Sequence, residues 1–199
     1  MNLFDDEPAR TVRSGADWEH HRRHRSPQSA PPQDEVGVLA LSSFLMVRTP
    51  EVVVAVRGVT AYSDGLNVEV VVLFADEQRS EDLSYAMNDY SRSPGRFRFG
   101  CAGSDGRSAA SGTRDAPRVE APDLDGPTLV LLRALSSALT WTGHYWLHPL
   151  PPPGPLVLGC RWPDRGIPET LVEIDTAPLL AVAATSRAVW GEPTGVLKP

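Results

Sequence analysis

The sequence predicts a mainly β protein in which two antiparallel sheets pack face to face as a β-sandwich. Apolar runs rich in Val, Leu and Phe recur along residues 36–162, with polar residues at alternate positions. This period of two is typical of strands with one buried face. Asp64-Gly65 and Asp105-Gly106 each separate two such runs, and Asp-Gly between β-rich runs is a strong hairpin signal.

Each apolar run supplies one predicted strand. In the third run, Leu66 and Val68 alternate with Asn67, and in the fourth Phe97 alternates with Arg96, so each strand is expected to have one dry and one wet face. The predicted strands cover residues 36–47, 51–62, 66–75, 96–101, 128–133, 141–149 and 156–162.

A change to helical period near the carboxyl end predicts one C-terminal α-helix. Asp175 or Thr176 can cap it, and Pro178 falls in its first turn, where a missing N–H costs little. An apolar stripe should fold this helix back against the sheets, and it consists of Leu179, Val182, Ala183 and Trp190. Six or seven short strands with turn signals at this spacing predict an immunoglobulin-like two-sheet antiparallel β-sandwich with one C-terminal α-helix.

Composition divides the chain of 199 residues into three regions. Residues 1–35 mix charges, Ser, Gln and Pro without an apolar period, which predicts a disordered leader. Residues 36–190 hold the strands and the helix and form the predicted β-sandwich domain, and residues 191–199 are expected to form a flexible tail.

Net charge and hydropathy argue against several classes of partner. A formal charge of −6 disfavours general binding to nucleic acid or to anionic lipid, which requires a basic face. No segment approaches the roughly 20 apolar residues of a membrane span, and the acidic amino terminus lacks the apolar run of a signal peptide. We therefore expect a cytoplasmic protein in which Cys101 and Cys160 are two buried thiols.

Residues 145–167, YWLHPLPPPGPLVLGCRWPDRGI, resemble the signature of an uncharacterised protein family of high-GC Gram-positive bacteria. That signature is an aromatic-Trp-x-x-Pro-Leu-Pro-Pro-Pro-Gly-Pro-Leu run followed by Cys-x-Trp-Pro and Gly-Ile. The VRGVTAYSDGL hairpin of residues 56–66 is similar to an earlier signature of the family, and the excess of arginine over the single Lys198 is typical of a GC-rich genome. The resemblance implies a bacterial family without an established activity, so it assigns no role to any residue.

No pattern of residues predicts an enzyme, a metal or a cofactor. His20 and His24 could meet on one helical face, but three arginines in the same stretch oppose a cation. Ser136-Ser137 lacks the G-x-S-x-G turn of a nucleophilic serine. The carboxylates that precede the C-terminal helix are typical of a helix cap and a solvated face, and they are Glu169, Glu173 and Asp175.

The candidate binding residues are His144, Trp146, His148 and Arg161. The two histidines are expected on one face of a strand about 13 Å apart, too far to share one zinc ion. Exposed aromatics here would provide a surface for a glycan or small molecule. The prolines of residues 149–153 satisfy P-x-x-P, but prolines also occur where two strands part without pairing. We expect such a corner.

The function that these patterns favour is a non-catalytic interaction or scaffold module for an unknown protein partner, with the oligomeric state left open. A small-molecule or glycan-binding module is the first alternative, and an enzyme of unrecognised type is the second. A concave pocket around Trp146 and both histidines would favour the small ligand. A flat apolar patch would favour the protein partner.

Overall fold

A computed structural model describes residues 26–87, 94–111 and 126–189. These ranges hold two α-helices, α1 and α2, and twelve strands, β1 to β12. The helices are Ser80–Met87 and Ala177–Ala183. In chain order the strands are Glu35–Val36, Val38–Leu41, Phe44–Arg48, Val52–Ala61, Leu66–Phe74, Arg98–Ala102, Ser108–Ala110, Thr128–Ser137, Thr140–His148, Pro155–Trp162, Ile167–Asp175 and Arg187–Ala188.

The larger sheet has six antiparallel strands in the order β2-β4-β5-β9-β8, with β3 also paired to β4. β2 and β3 follow one another along the same edge of β4, so the first predicted strand is interrupted at residues 42–43. The Asp64-Gly65 hairpin is confirmed, because Ala61 pairs with Leu66 across it.

The smaller sheet has four antiparallel strands in the order β11-β10-β6-β7. The second Asp-Gly hairpin joins β6 to β7, and Gly106 adopts the positive φ of 79° that its turn requires. β11 was not predicted from the sequence. Its carboxylates were expected only to cap a helix and form a solvated face, but they lie on this strand. Its Pro168 and alternating acids obscured the strand pattern, and both are common on sheet edges.

The two sheets pack their inner faces together around one apolar core. Aromatic rings connect them in three places: Phe74 with Trp162, Phe97 with Trp141, and Phe99 with Tyr145, at centroid distances of 6.0, 6.0 and 4.9 Å. The prediction of a mainly β fold with antiparallel sheets is confirmed. The immunoglobulin-like type of strand arrangement stays a prediction.

Both helices contribute to the same core. α2 begins after Thr176, and the carboxylate of Asp175 accepts the backbone N–H of Ala177 at 2.9 Å. Leu179 and Ala183 of α2 are buried as the stripe predicted, whereas Trp190 lies outside the described residues. α1 is a second helix, whose buried residues include Leu83 and Met87.

Ten residues of the predicted leader, 26–35, lie within the described part of the chain. Residues 1–25 and 190–199 lie outside it, and with them the rest of the predicted leader and the whole of the predicted tail. Residues 26–35 do make contacts with the fold: the indole N–H of Trp146 on the larger sheet donates to the carbonyl of Pro27 at 2.8 Å, and Glu35 pairs with Ala188 in a separate two-stranded sheet of β1 and β12. These contacts are made by backbone atoms, so they do not require apolar side chains at regular positions. The sequence of the segment therefore contains no pattern that predicts them.

The two cysteines are buried, unpaired thiols on β6 and β10, as predicted. Burial raises the pKa of each thiol to about 11, and at Cys101 a hydrogen bond with the backbone of Ala109 opposes this shift. Both thiols are therefore protonated, and poor nucleophiles, at neutral pH.

We expect the free energy of unfolding to fall between pH 9 and pH 11 because of these thiols. Unfolded cysteines lose their protons near pH 9.0, whereas the folded ones hold them up to about pH 11. The stabilisation is complete below pH 9 and is lost as the pH rises through that window, by an amount on the order of 1–2 kcal/mol per thiol. Urea denaturation across this range should show it. A Cys101→Ala, Cys160→Ala variant should have a flatter profile, and an unchanged profile would contradict the assignment.

Candidate interaction surface

The candidate binding residues do not form one site. His144, Trp146 and His148 occupy alternate positions of β9 on the outer face of the larger sheet, opposite to the core residue Tyr145. Arg161 is exposed on β10, on the outer face of the smaller sheet. The sandwich core therefore separates Arg161 from the other three.

Trp146 is buried, with none of its surface exposed, so the exposed aromatic surface predicted for a glycan does not exist at this residue. The reason is local. A turn at residues 26–29 lies over the ring, and its Pro27 carbonyl accepts the indole N–H. Tyr62 contacts the ring edge-on, with centroids 5.6 Å apart and planes at 80°.

A band of polar side chains crosses the same outer face beside Trp146. Arg57 forms an ion pair with Glu69 at 2.9 Å, and Arg133 donates to Nε2 of His144 at 3.4 Å. A guanidinium only donates, so this ring nitrogen is unprotonated. Desolvation lowers the pKa of His144 most, the charges of Arg133 and Arg57 lower it further, and Glu69 opposes them.

Next to this band lies an apolar surface, which we call the outer patch. Cross-strand register aligns Leu45, Ala55, Val71, Thr142 and Leu135 on five neighbouring strands. The adjacent row adds Val53 and Leu73. Leu45, Leu73 and Leu135 are 60%, 44% and 61% exposed, whereas Ala55, Val71 and Thr142 between them are buried. The outer patch is thus the set Leu45, Val53, Ala55, Val71, Leu73, Leu135 and Thr142.

Arginines border the outer patch. Arg57 and Arg133 lie in the polar band on one side, and Arg48 is exposed on the other side, where it pairs with Val53. Glu69 neutralises one of these charges. The outer patch therefore combines exposed leucines with a positively charged border, on a chain whose formal charge is −6.

The proline run, residues 149–153, forms the predicted corner. β9 before it belongs to the larger sheet and β10 after it to the smaller sheet, so the strands on either side part without pairing. A small cleft with a cavity volume of about 30 Å³, partly open to solvent, lies at this corner. Its lining includes Cys101, Leu147, Leu150 and Leu156, with the ion-paired Asp105 and Arg107 beside them.

Two other kinds of site are absent from the described residues. No group of three or more His, Cys, Asp or Glu side chains there is arranged to hold a metal, and His20 and His24 lie outside these residues. Likewise, none of the helices in the described ranges has the length and apolarity needed to cross a bilayer.

The outer patch was missed from the sequence, although a signal for it exists. Val71 and Leu73 fall on the same strand face as Asn67 and Glu69, which the alternation assigned to solvent. Two apolar residues on a strand face that also carries polar residues indicate that part of this outer face is apolar. Only the strand register shows that the row extends across five strands.

Comparisons of this chain with protein-family models, with curated proteins and with solved structures find no match. The family resemblance of residues 145–167 therefore stays a prediction.

Proposed function

We propose that this protein is a non-catalytic interaction module that binds a partner protein through the outer patch. The observation that carries this proposal is a group of three exposed leucines on the outer face of the larger sheet: Leu45, Leu73 and Leu135 are 60%, 44% and 61% exposed, on β3, β5 and β8. A single exposed leucine is ordinary, whereas several on one face of a sheet, here with the buried Ala55, Val71 and Thr142 between them, are typical of an interaction site.

The border of the outer patch defines the chemistry of the partner. Arg48 and Arg133 are exposed beside the leucines, whereas the charge of Arg57 is paired with Glu69. Two copies of this face would bring like charges together, which disfavours a dimer built on it. The partner that fits is a protein with an apolar surface flanked by Asp or Glu.

The small-molecule alternative has less support. Trp146 is covered and Arg161 lies on the opposite side of the sandwich, so the residues predicted for a small ligand do not converge. The cleft at the proline corner is the observation that bears on it, but its cavity volume of about 30 Å³ is far below the roughly 300–1,000 Å³ of ligand pockets. The flat patch supports the protein partner more directly.

A matched pair of variants tests the proposal. Leu135 and Leu171 are 61% and 60% exposed on strands of opposite outer faces. The full chain and its Leu135→Asp and Leu171→Asp variants are used to capture proteins from cells of the encoding organism. Each captured protein is then purified and titrated against all three by calorimetry. We expect Leu135→Asp to weaken binding at least about tenfold while Leu171→Asp changes it little.

The charged border gives a second readout. Binding of the purified partner should weaken as salt is raised from about 0.05 to 0.5 M, because screening reduces attraction between the arginines and the partner's carboxylates. Equal effects of the two variants would contradict a role for the outer patch. Sedimentation equilibrium of the chain alone measures self-association. If the unchanged chain self-associates and Leu135→Asp does not, the outer patch binds a second copy of this chain, which would contradict the proposal.

A further inference from the structure

We infer that Trp146, Tyr62 and Asn67 form a docking site for a proline-bearing peptide turn, which residues 26–32 occupy in this chain and which a similar segment of a partner protein can enter. This site is separate from the outer patch, because the band containing Arg57 and His144 lies between them on the sheet. It stands whether or not the outer patch binds a partner.

The site is an aromatic shelf built on a hairpin end. The ring of Trp146 lies against Gly65, where a Cβ atom would come within 2.5 Å of it, and Tyr62 closes one side edge-on. Asn67 is the cross-strand neighbour of Trp146 on the same outer face. The shelf therefore presents the edge of an aromatic ring, with one N–H donor, to the segment that lies against it.

The occupant is recognised through its backbone. Trp146 donates its indole N–H to the carbonyl of Pro27, and the Thr128 hydroxyl contacts the carbonyl of Gln28 at 3.3 Å. The Pro27 and Ser29 side chains are themselves exposed. A ring with a donor facing the carbonyl of a proline is the chemistry by which aromatic grooves bind proline-containing peptides. Other segments with the same turn can therefore satisfy it.

One polar atom of the shelf is left unsatisfied by the occupant. The side-chain oxygen of Asn67 is buried, yet it accepts no hydrogen bond within the described residues. A buried acceptor without a donor is unfavourable, because the hydrogen bonds it made to water are not replaced. A peptide that brings a donor to this oxygen gains a contact that residues 26–32 do not provide. The fit of the chain's own segment is thus incomplete, which favours exchange.

Because the chain's own segment is tethered, it competes with any external peptide at a high effective concentration. The apparent affinity for an external peptide is reduced by the fraction of molecules in which the shelf is uncovered. Weakening the segment, while leaving the shelf intact, must therefore strengthen binding of the external peptide. A purely structural contact would not show this dependence.

The experiment uses the full chain labelled with ¹⁵N and the synthetic peptide SPQSAPPQD, which copies residues 26–34. The indole N–H signal of Trp146 is assigned by its loss in Trp146→Phe. Peptide is titrated into the unchanged chain and into a variant with Pro27→Gly and Pro32→Gly. Thr128→Val loosens the segment independently, in case the first variant folds poorly. The control peptide has alanine at all three prolines.

We expect the peptide to shift the Trp146 signal, with an apparent Kd at least about tenfold lower in the loosened variants than in the unchanged chain. The alanine peptide should bind at least about tenfold more weakly, since it loses the preorganised turn. Absence of a shift in both loosened variants, or equal shifts by both peptides, would overturn the inference. Dimerisation of a loosened variant without peptide would assign the site to the segment of a second copy, and so would also overturn it.

Discussion

Replacing Trp162 by alanine should lower the free energy of unfolding by about 3–5 kcal/mol, as deletions of large aromatic residues in cores do. Trp162 ends β10 and is 1% exposed. It contacts Phe74 and Phe97 edge-on, at centroid distances of 6.0 and 5.7 Å, and the guanidinium of Arg165 lies 5.5 Å from its ring. Alanine removes all of these contacts and leaves a cavity between the sheets.

Chemical denaturation monitored by circular dichroism measures this loss. Pro153→Ala is the control, because Pro153 is exposed in the corner before the same strand. Its replacement, like that of Pro152, should cost only about 1 kcal/mol, mainly by loosening the unfolded chain. Equal midpoints for Trp162→Ala and the unchanged protein would show that this end of the sandwich contributes little to the core.

Replacing Gly143 by alanine should cost about 3 kcal/mol or more, although it adds a single methyl group. Gly143 lies on the inner face of β9, and a Cβ atom there would come within 2.1 Å of the ring of Trp141. Trp141 is 1% exposed and contacts Phe97 and Tyr145, so its ring has little room to move. Overpacking a rigid core forces side chains out of favourable rotamers.

A double-mutant cycle identifies the clash as the cause. Trp141→Leu is destabilising on its own, but it removes the ring atoms that the new methyl group would meet. Gly143→Ala should therefore cost less than about 1 kcal/mol in the Trp141→Leu background. Additive effects would contradict the clash. Gly106→Ala is the control for replacing a glycine without a clash. No atom lies within 4 Å of its Cβ position, so only the positive φ is unfavourable for alanine.

Local patterns in the sequence predicted the strands that alternate cleanly and the two hairpins that Asp-Gly marks. They failed where a residue's role depends on a distant partner. Ile167–Asp175 was not recognised as a strand because its pairing with β10 lets an edge tolerate proline and acids. Trp146 remained a candidate for an exposed binding surface because alternation gives the face of a strand and does not reveal what covers that face.

The candidate site shows the same limit more strongly. His144 and His148 were predicted as binding residues because imidazole side chains often bind ligands. The structure shows instead that Leu45, Leu73 and Leu135 are exposed on the same outer face. These leucines lie far apart in sequence, and only the register of the sheet brings them into neighbouring rows. Residues with reactive side chains can be recognised in the sequence itself. A surface formed by residues of several strands can be recognised only when the pairing of those strands is known.

The first and last strands of the described fold, β1 and β12, lie side by side. Glu35 pairs with Ala188, Val36 pairs with Arg187, and the backbone N–H of Val189 donates to the carbonyl of Asp34 at 2.6 Å. Adjacent ends suit a unit for transplantation, because a host protein can accept it within a single surface loop without having its own chain pulled apart. The same closeness suits circular permutation, in which a short linker joins these ends and the chain is opened at another loop.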